Sequence, residues 1–198
     1  MANPTNYDAA HICESRLAVV LAGGASRRMG TDKASLSVGG QTVLERTLEE
    51  LASAGWPLLV LGGDPHEGVP HRPDPFPGEG PLRNLAGLRP TEDWVFVISC
   101  DVPRFDRRVP QVLMGFCANR DASVPVIRER AQPLCAIYSR RAIQSLSEIG
   151  EERRIQGWLS RLDVRYVNEV DLLASGISPW VVQGANTPEE FAELLAQG

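Results

Sequence analysis

The sequence predicts an α/β fold, a three-layer sandwich built on a mostly parallel sheet. Three observations lead there. Short apolar runs of strand length recur along the chain, with segments of helical spacing between them. Several runs end in Gly-Gly or in a polar turn, where the carboxyl edge of such a sheet would collect its ligands. The first run opens into a loop of small residues followed by cations, the composition of an anion cradle.

Leu17 to Leu21 is short and branched enough to be a buried strand. It stops at Gly23-Gly24, and the loop beyond carries Arg27, Arg28 and Lys33. Glycines let backbone N–H groups approach a ligand closely, and cations beside them suit a polyphosphate. The loop is not a P-loop: five residues separate Gly24 from Gly30, and Thr31 stands where lysine would be needed. Nor does it contain Gly-x-Gly-x-x-Gly.

Leu36 and Val38 read as a short extended piece before a Gly39-Gly40 turn. From Thr42 to Ala54 the apolar residues fall at helical spacing, as in a crossover between parallel strands. Leu58 to Leu61 is a second buried strand that closes on Gly62-Gly63. Val69 to Pro77 is proline-rich and reads as irregular, and Gly78 to Leu88 includes a short helical pattern. Trp94 to Ser99 is the most apolar strand and should be central. Pro110 to Ala118 reads as helix, Ala122 to Val126 and Leu134 to Tyr138 as strands, and Ala142 to Leu146 and Ile155 to Leu162 as helices. Trp180 to Val182 reads as a short strand. Thr187, Pro188 and Glu190 then supply a cap, a first helical residue and a capping-box partner for a last helix.

Bulk properties narrow the function. The 198 residues suit one domain, expected over residues 16–198, with residues 1–15 a poorly ordered tail lacking the apolar stretch of a signal peptide. Hydrophobic content of 43% with 23% charged residues is ordinary for a globular chain. A net charge of −5 argues against nucleic acid, and no run is long enough to cross a membrane. Cys13, Cys100, Cys117 and Cys135 show no metal-ligand spacing and suit the cytoplasm, and His11, His66 and His71 show none either.

The full string Leu21-Ala22-Gly23-Gly24-x-Ser26-x-Arg28-Met29-Gly30-x-Asp32-Lys33 resembles the signature loop of MobA-like nucleotidyltransferases, and among them the molybdenum cofactor guanylyltransferases. The resemblance spans Leu17 to about Leu195 and implies a Rossmann-like sheet of the nucleotide-diphospho-sugar transferase type. It also implies transfer of GMP from GTP to a molybdenum-bound pterin phosphate, with pyrophosphate released. Leu21, Ala22, Gly23, Gly24 and Ser26 would hold GTP, while Arg28 and Lys33 neutralise its phosphates. Cys100-Asp101-Val102-Pro103 is similar to the family's metal-binding segment, which gives Asp101 the role of holding Mg²⁺. Asp74 matches a family acidic residue of the nucleotide pocket, and a carboxylate can accept both N–H donors of guanine N1 and N2. An Asp in this proline-rich stretch is equally a turn residue.

Three further segments bear on the acceptor. Gln132 to Ala136 resembles a family strand facing the acceptor pocket. Arg153 and Arg154, in a Gly-x-Arg-Arg-like segment, would meet the acceptor's phosphate, and they equally fit a solvated helix start. Asn186 belongs to the family's closing motif. The chain departs from the family pattern twice. Glycine stands at Gly62-Gly63 where the family often has Asn, and Arg83-Asn84-Leu85 interrupts a Gly-Pro-Leu-Ala-Gly-like segment. A cytidylyltransferase for the same pterin, a guanylyltransferase for another small phosphorylated acceptor and a non-catalytic nucleotide-binding module are the alternatives. Transient contact with cofactor-delivery or acceptor proteins is the one protein partnership expected.

Overall fold

A computed structural model describes residues 14–22, 37–150, 152 and 154–197. The sheet is organised around β1 (Arg16–Leu21), which lies parallel to β4 (Leu58–Leu61) on one side and to β6 (Trp94–Ser99) on the other. Outward from β4, β5 (His71–Arg72) adds in parallel within the stretch expected to be irregular. Outward from β6 comes β9 (Cys135–Ser139), antiparallel to both its neighbours, then β7 (Ala122–Ile127) and β10 (Val164–Val167), parallel to β7. The order is β10-β7-β9-β6-β1-β4-β5, with β8 (Arg130–Ala131) pairing back on β7. A small hairpin, β2 (Ser37–Val38) and β3 (Gln41–Thr42), stands apart.

Side chains alternate between the two faces of a strand, and here both faces are covered. Ala18, Val20, Phe96 and Ile98 pack on one side under α1 (Val43–Ser53) and α3 (Val109–Gly115). Val19, Leu21, Val95 and Val97 pack on the other under α2 (Pro81–Ala86), α4 (Arg140–Ser145) and α5 (Ile155–Leu159). That double burial is why the strands read as unbroken apolar runs. Trp158 of α5, fully buried, lies with its ring 4.8 Å from Tyr138 of β9.

A third apolar cluster joins Val43 to Ala185, Phe191 and Leu194, and it seats α7 (Pro188–Ala196) beside the start of α1. The caps follow local chemistry. Thr42 Oγ1 accepts from the Glu45 amide at 3.1 Å, and Glu45 Oε2 accepts from the Thr42 amide at 2.8 Å. Thr187 caps α7 by accepting from the Glu190 amide at 3.1 Å. The carboxylate of Glu190 reaches one residue further back than a capping box requires and accepts from the Asn186 amide at 2.7 Å.

Several expectations are corrected. Trp180 to Val182 is not a strand: Pro179–Val182 forms a 3-10 helix, with Pro179 in its first turn and Val181 and Val182 buried in the core cluster beneath α1 and α3. The helix expected to run to Leu162 stops at Leu159. β10 and α6 (Glu169–Ala174) went unread, since β10 buries only Val167 and has no clean alternation. Residues 1–13 lie outside the described residues. Glu14 and Ser15 are tied to the sheet, Ser15 through Asp93 and Glu14 through the Trp94 indole.

Replacing Thr42 by Ala should cost about 1 kcal/mol in urea unfolding, while Thr42→Ser should cost far less, because only the hydroxyl serves the cap. Equal losses in the two variants would remove the cap from the account.

Candidate active site

Four parallel strands deliver their carboxyl ends to one edge, in the order β6, β1, β4, β5. The Cys100 amide donates to the Leu21 carbonyl at 3.2 Å, the Ala22 amide to the Leu61 carbonyl at 3.1 Å, and the Gly62 amide to the Arg72 carbonyl at 2.8 Å. These bonds continue the ladders one residue past the strands and align Cys100, Ala22 and Gly62, with Asp101 and Gly63 next in the chain and Asp74 two residues past Arg72. With neighbouring strands about 4.8 Å apart, the strand ends from β6 to β5 span about 14 Å.

Each position has a local cause. Gly63 has φ +62°, and a Cβ there would fall 3.0 Å from the Ala22 Cβ and 3.1 Å from its carbonyl oxygen. Where the family often carries Asn, this chain brings its backbone against Ala22, and no side chain fits. His71 Nε2 lies 3.2 Å from the Gly62 carbonyl oxygen and 3.1 Å from that of Gly63, which pins the turn to β5.

Asp101 is half-buried, and its Oδ1 accepts the Ser99 hydroxyl at 2.5 Å. The Ala185 amide donates to the Asp101 carbonyl at 2.9 Å, and a Cβ on Gly184 would come 3.0 Å from Oδ1. The segment leading to α7 therefore crosses directly over this carboxylate and brings Asn186, which is exposed, next to the edge. A carboxylate held this way fits a hard divalent cation. Among the described residues no group of three or more His, Cys, Asp or Glu forms a closed metal site. A divalent cation here would take its remaining oxygen ligands from outside this set of side chains.

Asp74 is half-buried, with both oxygens oriented. Oδ1 accepts from the Phe76 amide at 2.7 Å and Oδ2 from Asn84 Nδ2 at 2.8 Å. A carboxylate has about four lone-pair sites, so each oxygen keeps one acceptor position. Arg83-Asn84-Leu85 is no loose addition. It forms the body of α2, with Leu85 in the core and Asn84 at 3% exposure holding Asp74.

On the other flank, Cys135 pairs with Ile98 in register, and the Ser99 amide donates to the Leu134 carbonyl at 2.8 Å. Leu134 and Cys135 thus lie beside the end of β6, next to the segment that carries Asp101. Burial pushes the Cys135 thiol far above its usual range, and the Asp101 carboxylate adds to that shift, so Cys135 is no nucleophile.

The remaining expected residues divide. Gly23, Gly24, Ser26, Arg28, Lys33 and Arg153 lie outside the described residues. Arg154 is exposed and, among the described residues, makes no side-chain bond to this edge. Its helix is seated by Trp158 on Tyr138, which pairs with Val95 at the far end of β6. Sequence reading gave no role to Ser99, Asn84 or Gly184. A Ser-x-Asp at a strand end and a lone amide among the apolar residues of α2 were the available signals.

A family profile described as "MobA-like NTP transferase domain" matches residues 18–166. The chain belongs to this family. It is therefore a nucleotidyltransferase. A relative in Bacillus cereus (strain G9842), named as a probable molybdenum cofactor guanylyltransferase, is 33% identical over 192 residues, covering 88% of this chain and 93% of that protein. Among solved structures, molybdopterin-guanine dinucleotide biosynthesis protein A of Archaeoglobus fulgidus superposes with a TM-score of 0.75 at 23% identity, over 90% of this chain and 96% of that one. The 2-C-methyl-D-erythritol 4-phosphate cytidylyltransferase of Thermus thermophilus superposes at 0.64 with 19% identity, over 90% and 96% of the two chains. The fold of this nucleotidyltransferase is thus shared with an enzyme named for a different base.

Gly63→Ala should lose about 1–2 kcal/mol in chemical unfolding, from the left-handed backbone and the displaced Ala22. Gly115→Ala, at a helical position where a Cβ meets nothing within 4 Å, should instead hold or gain stability. A Gly63→Ala protein as stable as the parent would disprove the close approach.

Proposed function

We propose that this nucleotidyltransferase is a molybdenum cofactor guanylyltransferase, acting with GTP and Mg²⁺ in the cytoplasm. One observation carries the reading: Asp101 and Asp74 flank Ala22, the residue from which the Gly23-Gly24-x-Ser26-x-Arg28 loop departs. A triphosphate on that loop would have a metal carboxylate on one side and a base-reading carboxylate on the other. The names of the curated relatives support the choice of guanine and of the pterin acceptor.

In this reading the pterin phosphate attacks the α-phosphorus of GTP in line with the leaving group. The new P–O bond forms as the bond to the β-phosphate breaks, and pyrophosphate departs. A phosphate oxygen is already an anionic nucleophile, so no strong base and no covalent enzyme intermediate is needed. The chain's work is to align two anions and neutralise their charge. Backbone N–H groups of Ala22 to Ser26 take the triphosphate, and Arg28 and Lys33 balance its charge. Asp101 holds the divalent ion, which supplies charge neutralisation at the phosphate oxygens. Ser99 and Gly184 keep that carboxylate in place. Asp74, oriented by Asn84 and the Phe76 amide, accepts from guanine N1 and N2. Asn186 meets the acceptor from the segment over Asp101. For Arg153 and Arg154, a contact with the acceptor phosphate rests on the motif alone.

Lys33 is the only lysine in the sequence. Mild amine acylation should therefore stop pyrophosphate release by modifying one side chain, and Mg·GTP should protect that side chain in peptide mass spectra. Asp101→Asn and Lys33→Ala should each lower turnover by about 10²–10³-fold with the fold intact. Full turnover in either variant would refute the assignment. With GTP, inosine triphosphate and CTP compared, Asp74→Asn and Asn84→Ala should narrow the preference for GTP. A parent enzyme that prefers CTP would instead make this a cytidylyltransferase.

A further inference from the structure

Outside the reaction edge, a groove of about 950 Å³ opens between the middle of α1, residues 103–108 and the carboxyl end of α7. Arg46, Arg104, Arg107 and Arg108 line it, with Glu50 and Asp106 as its carboxylates. In a chain of net charge −5 this is a local excess of positive charge.

The two carboxylates are already engaged. Asp106 takes Arg108 Nε on Oδ1 at 3.0 Å and Nη2 on Oδ2 at 2.6 Å, and Glu50 Oε2 takes the Arg107 amide at 3.2 Å. The other guanidinium groups are poorly served. Arg104 reaches one carbonyl, that of Leu194, at 3.3 Å. Among the described residues the Arg107 side chain has no hydrogen bond or ion pair, and Arg46 Nε is buried with no acceptor at all. A buried donor without an acceptor is unfavourable until a ligand or water supplies one. Between the arginines the lining is apolar, with Val181 and with Leu195, which is 38% exposed.

We infer that this groove docks an acidic, partly aliphatic segment of another protein. The charge selects carboxylates, and the layout selects a chain over a small anion. A single phosphate needs donors that converge on one point. Here Arg46 projects from α1, and Arg104 and Arg107 stand three residues apart on a connecting segment. Carboxylates spaced along an extended segment match that spread, and aliphatic side chains between them would cover Val181 and Leu195. The position gives docking a consequence. Residues 103–108 begin two residues beyond Asp101, and Val181 precedes Gly184 by three. The bound partner would lie beside the edge where product forms without covering it.

The probe is a fluorescein-labelled twelve-residue peptide of glutamate with leucine at every third position. It is titrated by anisotropy against the full-length protein in saturating Mg·GTP, so that the Gly-rich loop is occupied. Saturable binding is expected, weakened about tenfold by Arg107→Glu and by Arg46→Ala, and lost when glutamine replaces glutamate in the peptide. Pyrophosphate release by Arg107→Glu should match the parent, since Arg107 is exposed and, among the described residues, its side chain bonds to no part of the reaction edge. No binding by the parent, equal binding by Arg107→Glu, or equal binding of the glutamine peptide would each overturn the proposal. Displacement of the peptide by tripolyphosphate from a site sensitive to Arg107→Glu would overturn it too, in favour of a small-anion site.

Discussion

The structure depends on β1 being hydrogen-bonded in parallel on both sides. Its amides and carbonyls are used up by β4 and β6, and its side chains are buried on both faces. A strand so enclosed offers polar chemistry only at its end. Because β4, β5 and β6 run the same way, their ends emerge at the same edge, and the bonds at Ala22, Gly62 and Cys100 carry the alignment into the loops. The close approach of Gly63 to Ala22 is a direct result: two chains leaving adjacent strands in register have room for only one side chain between them.

The carboxyl end of the chain adds a second constraint. Ala185, fully buried, packs with Val43, Phe191 and Leu194, and its amide is bonded to the Asp101 carbonyl. Folding of α7 onto α1 is thereby coupled to the geometry of the Asp101 segment. Gly184 fits over the carboxylate because it has no side chain to displace it. Thr187 and Glu190 fix where α7 begins, and so fix how the crossing segment lies.

The one antiparallel strand in the middle of the sheet shapes the other flank. β9 runs back along β6 and sets Leu134 and Cys135 beside Ser99. The buried thiol there is held protonated, so it contributes shape and no reactivity. What the described part of this edge offers a substrate is oriented carboxylates and backbone amides. That suits phosphoryl-group chemistry, where alignment and charge balance provide most of the rate.

The sequence alone determined whatever depends on local period, composition and caps. Doubly buried strands such as β1, β4 and β6 are apolar throughout, α1 shows its period, and Thr187 marks the start of α7. The loop string from Leu21 to Lys33 was legible as a family signature for the same reason, being contiguous. Tertiary structure alone decided what depends on strand order. Pro179–Val182 has the apolar residues of a strand but coils, and it buries Val181 and Val182 through core packing and not through a ladder. Asn84 finds Asp74 across ten residues, and Gly184 finds Asp101 across more than eighty. Those partners are chosen by which strands and helices come to lie side by side, and a linear pattern holds no record of that choice.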